Sequence, residues 1–401
     1  MDSQTILDQI LLRPGQLLKQ GRYQVHRKLG TGLFSTTWLV SDAEAEFVEV
    51  SFPSKYCAVK VLSVEGTNVH KEGLSHELEF LQQIAADKKC ENLPQLRDHF
   101  EEYGPGGTHL CLVMELLSTD VSSFRRSSPT KALPVYTVKH IIIAALRGLA
   151  NLHRLGIIHT DLKLDNILFM GVPNDKYVEE QLAAEAPVIE GEVEVEGVTY
   201  PLLRAQPIPH TCQWDMSPYI SEVIDYVVTD LGQAQRAGEQ PTTDEFSAYS
   251  LRAPELLLYS DFSPKMDIWA IGCLTFELLV GRWLFAPKEG ETWTLEDDHL
   301  AKMMELTGET FSSAYLARRR AEFFDENGKL LRGELIPGQS IENLIRICKI
   351  VPEDDIPGAA SFINACLRLD TYDRSTAVEL QMDPWLIKCS CSHYQHYQHY
   401  Q

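Results

Sequence analysis

Ile157-Ile158-His159-Thr160-Asp161-Leu162-Lys163-Leu164-Asp165-Asn166-Ile167-Leu168 decides how the rest of the chain is read. It is a polar loop between two apolar runs. A carboxylate (Asp161), an amine (Lys163) and an amide (Asn166) stand in it at fixed offsets, behind a histidine. A loop joining two buried segments needs polar residues, but not these types in this register. Upstream, residues 138, 141, 142, 145, 146, 149 and 152 are apolar. That spacing predicts a helix over 135–155, stopped by Gly156, which delivers the chain into the loop. Downstream, an apolar strand around Tyr226-Val227-Val228 ends in Asp230-Leu231-Gly232. Asp-x-Gly alone is a common turn; its place after Asn166 gives it weight.

Bulk composition narrows the classes. The chain has 401 residues, enough for one large core or two smaller ones, and 44% of them are hydrophobic. No apolar run is long enough to span a bilayer, and the N-terminus has no basic region of the signal-peptide kind. The nine cysteines are scattered without zinc-ligand spacing, which fits free thiols in a reducing compartment. A net charge of −21 argues against nucleic acid as a direct partner and favours cationic ones.

Outward towards the N-terminus, residues 1–21 read as a flexible or loosely docked lead-in. Strand-like runs over 23–29 and 33–40 flank Gly30 and Gly32, a tight hairpin whose backbone N–H groups can approach phosphates. Tyr56–Leu62 is an apolar strand with Lys60 in its interior. Residues 70–86 read as a helix with Glu77 and Glu79 inside it. Glu77 is the preferred partner for Lys60, because Leu74, Leu78 and Leu81 mark an apolar stripe around it. Leu110–Leu117 is another apolar strand.

Towards the C-terminus, residues 171–225 form an acidic insertion. In it Glu190, Glu192, Glu194 and Glu196 alternate with small or apolar residues, as an edge hairpin or a solvated segment would. The polar residues 233–250 close on Ala253-Pro254-Glu255, and Asp267-Ile268-Trp269 opens an apolar helix. The tail, 393–401, repeats His-Tyr-Gln and reads as low complexity rather than a metal site.

Taken in order, Gly30/Gly32, Lys60, Glu77, Asp161/Asn166, Asp230, Glu255, Asp267 and Arg374 resemble a eukaryotic protein kinase over roughly residues 23–386. Within that superfamily the chain is most similar to the serine/arginine-rich-protein kinases. The shared features are Thr160 after the histidine, Ser35 in place of the third glycine, Asp-Leu-Gly and the insertion. Ala253-Pro254-Glu255 follows the general kinase pattern instead.

The resemblance implies an α+β bilobal fold, with a small antiparallel sheet and one main helix in an N-lobe (22–117). A larger, mostly helical C-lobe (118–386) would contain the insert 171–225. ATP and Mg²⁺ are the implied cofactors. Asp161 would take the substrate hydroxyl proton and Lys163 would offset phosphoryl charge, with Asn166 and Asp230 as metal ligands. Leu29, Gly30, Thr31, Gly32, Leu33, Phe34, Ser35, Thr36 and Thr37 would cover the nucleotide. Ala58, Lys60, Glu77, Met114, Glu115 and Leu117 would complete its pocket. Glu255 would pair with Arg374, Asp267 would brace the catalytic loop, and acids around Glu296–Asp298 would correspond to the family's docking region. The implied protein is a monomer of the cytoplasm and nucleus, with a basic, Arg/Ser-rich protein substrate and no membrane or direct nucleic-acid partner. A pseudokinase, the competing class, would lack Lys60, Asp161 or Asp230; all three are present.

Overall fold

Alternating burial builds the first sheet. In the computed structural model, which describes residues 8–45, 54–195, 197–242, 246–311, 320–333, 335 and 338–387, β1 (Leu17–Leu18), β2 (Tyr23–Thr31), β3 (Ser35–Asp42), β4 (Tyr56–Leu62), β5 (Leu96–Gly104) and β6 (Gly107–Glu115) form one antiparallel sheet. Its order is β1-β2-β3-β4-β6-β5. Successive side chains on a strand point to opposite faces. Val25, Trp38, Val40, Cys57, Val59, Val61, Cys111 and Val113 therefore share one face and bury together. Ile10, Leu12 and Leu18 belong to the same core. The described part of the lead-in, from residue 8 on, is thus anchored in the sheet's packing through three buried apolar side chains; residues 1–7 lie outside the described residues.

Contacts divide the chain into two units: residues up to Thr119 with Leu168–Thr211, and Asp120–Ile167 with Cys212 onward. The break after Thr119 falls two residues beyond the expected lobe boundary. Residues 168–211, expected in the second lobe, group with the first unit.

Two helices stand where one was expected over 70–86. Val64–Lys71 is capped by the Ser63 hydroxyl, which accepts from the Gly66 amide. Gly73, at φ 73°, then turns the chain left-handed past the helix end. Glu77–Ala86 starts afresh. Leu74 is exposed, so it does not extend the Leu78–Leu81 stripe.

Residues 168–211 settle the insert in favour of a hairpin. A helix, Asp175–Ala184, is capped by Asn174. Strands Ile189–Val195 and Val198–Leu203 then pair antiparallel, Tyr200 opposite Val193. Glu190, Glu192 and Glu194 are exposed on it; Glu196 lies outside the described residues. Buried Val178 and Ile208 pack in one cluster with Tyr56, Ala58 and Leu116. The Arg27 guanidinium donates to the carbonyls of Gln181 and Glu185 at the helix end, and the Ser118 hydroxyl donates to the Ile208 carbonyl at 2.8 Å. Residues 212–225, read as part of the same insert, belong to the second unit. There Tyr136 donates to the Met216 carbonyl at 2.7 Å.

The second unit is helical around Lys265–Val280. That helix is apolar on all sides, and every residue from Met266 to Val280 is buried. The helices Val135–Arg154 and Ile356–Cys366 pack on it. Arg374 grips Glu255 through two bonds of 2.6 and 3.0 Å, with both side chains fully buried. No described helix is long and apolar enough to cross a membrane, and the described cysteines are free thiols. The His-Tyr-Gln tail lies outside the described residues.

Candidate active site

The polar loop is held from beneath by one carboxylate. The helix Val135–Arg154 ends, Gly156 turns left-handed at φ 74°, and Ile157–Ile158 pairs with Gln235–Arg236. Asp267 Oδ2 accepts the His159 amide and Oδ1 accepts the Thr160 amide, each at 2.9 Å. The His153 ring meets Oδ2 at 2.9 Å. Burial alone would raise the Asp267 carboxyl, but the bonds and charge from His153 and His159 outweigh it and hold the group below its ordinary value.

Clamped this way, Thr160 sits at φ 69°, an outlying conformation for a β-branched residue. Its hydroxyl donates to the Gln233 carbonyl at 2.8 Å, and its carbonyl accepts from the Ser247 hydroxyl.

The three polar residues meet on this frame. Lys163 Nζ donates to Asp161 Oδ2 at 2.6 Å. Asn166 Nδ2 donates to the Asp161 carbonyl at 2.9 Å and to Oδ2 at 3.3 Å. With its NH₂ group engaged, Asn166 has its side-chain oxygen Oδ1, distinct from its backbone carbonyl, to offer as a ligand. The Thr229 amide donates to the Asn166 carbonyl at 2.8 Å, and the buried His159 ring meets the Thr229 carbonyl at 2.9 Å. These bonds tie the loop to the segment carrying Asp230. Asp230 adopts φ 65°, ψ 73°, strain of about 1–3 kcal/mol that persists where surrounding structure enforces it. Next along the chain, buried Gln235 donates to the Thr242 hydroxyl and accepts from its amide, at 3.1 and 3.0 Å. Thr243 lies outside the described residues.

In the first unit, Lys60 Nζ meets Glu77 Oε1 at 2.6 Å, with side chains 12% and 5% exposed. Glu77, Phe80, Leu81 and Ile84 share the buried face of their helix; Glu79 lies off that face, its side chain 42% exposed. Register places Thr37 opposite Lys60 and Met114 opposite Ala58. Gly30 pairs with Thr37 and Thr31 with Thr36 across the hairpin; Gly32 donates to the Ser35 carbonyl at 2.8 Å, and Leu33 and Phe34 are exposed at its tip.

Two expected pocket residues turn their side chains elsewhere. Thr36 is buried, its hydroxyl accepting from Trp38 Nε1 at 2.9 Å, on the strand face opposite Lys60 by the period of two. Glu115 stands opposite Cys57, again on the far face, and burial raises its carboxyl. Only their backbones share a position with the others. Leu117 is half-buried. Leu29 packs against the cluster that joins Ala58 to Val178 and Ile208.

Of the acids at 296–298, Asp297 is buried. It closes a capping box with Thr294 and meets Arg332 at 2.6 Å, while Asp298 pairs with Lys302. Residue types gave no signal for Gln233, Gln235, Ser247, Val178 or Ile208. Gln233 acts through its backbone carbonyl, Gln235 and Ser247 through side-chain bonds, and Val178 and Ile208 through packing.

The protein kinase domain family matches residues 23–177 and 220–386. The chain is 28% identical to the serine/threonine-protein kinase SRPK of Physarum polycephalum, over 94% of this chain and 88% of that one. It is 25% identical to the protein kinase dsk1 of Schizosaccharomyces pombe (93% and 82%). It is 24% identical to SRSF protein kinase 3 of Mus musculus (92% and 87%). A solved kinase-domain structure overlays with a TM-score of 0.65 at 21% identity, covering 95% of this chain and 99% of that one, a likeness of fold. The chain belongs to the protein kinase family, with the ATP and divalent-metal chemistry that family uses, and is a serine/threonine kinase of SRPK type.

Proposed function

We propose that this kinase uses Mg²⁺-ATP to phosphorylate serine in Arg/Ser-rich proteins. Asp161 accepts the proton of the serine hydroxyl. Lys163, 2.6 Å from it, offsets charge on the phosphoryl group in transfer. Asn166 and Asp230 supply oxygen ligands, the donor type that Mg²⁺ selects. Lys60, fixed by Glu77, takes the α- and β-phosphates. Residues Leu29–Thr37 cover the nucleotide, and Ala58, Met114 and the backbone of Glu115 and Leu117 border its base.

The observation that carries this reading is the Lys163–Asp161–Asn166 constellation on a loop locked by Asp267. For the substrate, the support is the mouse relative's name and a net charge of −21, which attracts a basic chain. The test offers labelled ATP with an Arg-Ser repeat, a Ser-Pro peptide and an acidic-site peptide. The Arg-Ser repeat is the expected winner; preference for either other peptide overturns the substrate. Asp161→Asn is expected to lower kcat by about 10²–10⁴-fold while nucleotide still binds; a loss under tenfold removes Asp161 from its role.

A further inference from the structure

A cavity of about 600 Å³ opens in the second unit, lined by Arg125, Lys131, Phe276, Glu277, Arg282 and Trp283 among others. Its floor is a buried ion pair, Arg125 Nη2 to Glu277 Oε1 at 2.6 Å. Arg125 is 8% exposed. Its other terminal nitrogen donates to the carbonyls of Lys131 and Gly281, and its buried Nε has no partner among the described residues. Gly281 ends the central helix at φ 82°, and a Cβ there would stand 2.2 Å from the Thr130 carbonyl. Only glycine lets the 130–132 segment close so tightly and form the wall.

Charge at the rim is cationic. Glu277 is neutralised by Arg125, and among the described residues neither Lys131 nor Arg282 has a carboxylate partner; Arg282 meets only the Cys348 sulfur, at 3.5 Å. Two uncompensated cations on one lip stand out in a chain of net charge −21. The site also has an apolar part: Trp283 is 61% exposed, Leu344 of the helix Ile341–Cys348 lines the cavity, and Ile347, three residues further along that helix, is 59% exposed. An exposed aromatic beside unpaired cations selects an anionic segment that also carries an apolar anchor.

We propose that this pocket docks an acidic peptide segment of a partner protein. An aromatic or aliphatic side chain lies against Trp283 and Leu344, and carboxylates face Arg282 and Lys131. The proposal is independent of the substrate assigned above, since a basic Arg/Ser-rich chain is repelled here.

The probe is a fluorescein-labelled peptide, Glu-Asp-Phe-Asp-Glu-Leu, titrated with the full chain by anisotropy without nucleotide. Its reverse, Lys-Arg-Phe-Lys-Arg-Leu, is the control. Lys131→Glu/Arg282→Glu is expected to weaken the acidic peptide by about tenfold or more, the equivalent of about 1.4 kcal/mol, without weakening the basic one. Added salt weakens the acidic peptide in wild type. Arg282→Gln, a milder change at an exposed site, is expected to lower affinity in the same direction should the double variant lose thermal stability. Trp283→Ala is expected to weaken binding at unchanged charge. Absence of acidic-peptide binding to wild type, or affinity indifferent to Arg282→Gln and Trp283→Ala, overturns the proposal.

Discussion

The catalytic loop and the insert that follows it are fixed by opposite means. Residues 157–167 are held by a polar clamp: Asp267 takes two backbone amides and a histidine ring, and Thr160 is forced left-handed between bonds at either end. Residues 171–211 are held by an apolar plug, with Val178 and Ile208 fully buried and a few polar ties around it. A clamp fixes backbone direction to a fraction of an ångström because hydrogen bonds fail steeply with angle. A plug fixes only position and volume. Chemistry needs the first, and attachment of an extra segment needs only the second.

The largest break in that contrast is Asp267→Ala. It strands two buried amides, each costing about 1–3 kcal/mol, and releases the strain at Thr160. Urea unfolding is expected to show a loss of about 3–5 kcal/mol, with phosphoryl transfer falling in the protein that still folds. A loss below about 1 kcal/mol means the loop does not depend on its clamp.

The contrast also explains what could be read in advance. The loop was legible because its residue types are irreplaceable: a carboxylate, an amine and an amide at offsets of two and five, with Asp267 and Arg374 as polar anchors. Glu77 could be chosen over Glu79 for a physical reason, the apolar stripe beside it, although Leu74 was no part of that stripe. The insert's placement was not legible. Val178 lies in the acidic run and Ile208 in a proline-containing stretch without acids, and nothing in their spacing says which surface they cover. The anchoring of residues 10–18 is likewise not legible, since Ile10, Leu12 and Leu18 lack the length for a periodic signal. Thr36 and Glu115 are expected only through the resemblance, and the alternation of strand faces turns their side chains away.

Next in size is Ile208→Ala, which opens a cavity at the plug and is expected to cost about 2–4 kcal/mol. Limited proteolysis should then nick the chain within 168–211 before any site in 157–167. Cleavage of the catalytic loop first would show that the two regions are not held separately.

Acid separates the clamp from the core behind it. His299 is fully buried, 5.3 Å from the Tyr249 ring and 5.4 Å from Phe285, with neither ring nitrogen partnered among the described residues. Burial lowers its pKa to about 3. The unfolded chain binds this proton below about pH 6.5, while the folded chain resists it down to about 3. His299 stabilisation is therefore complete above pH 6.5 and is lost as pH falls, at up to about 1.4 kcal/mol per unit. Asp267, lowered from its ordinary value, contributes fully above about pH 4 and loses its contribution only below that. Between pH 6.5 and 4, then, His299→Leu should flatten the stability slope. An unchanged slope in that variant assigns the acid sensitivity elsewhere.

The smallest expected effect concerns the segment beyond Asp230. In a loop with arginine before the aspartate, a phosphate on the following segment finds a counter-charge there; Thr160 brings none. The segment is held instead by a neutral amide, Gln235, bonded to both the amide and the hydroxyl of Thr242. Thr242→Ala removes the hydroxyl but keeps the backbone bond, a loss of about 0.5–1.5 kcal/mol. Turnover should consequently fall by less than about tenfold, in protein that has never been phosphorylated. Collapse to background would mean that a phosphate at this position does what Gln235 is assigned here, and that this part of the site is switched rather than clamped.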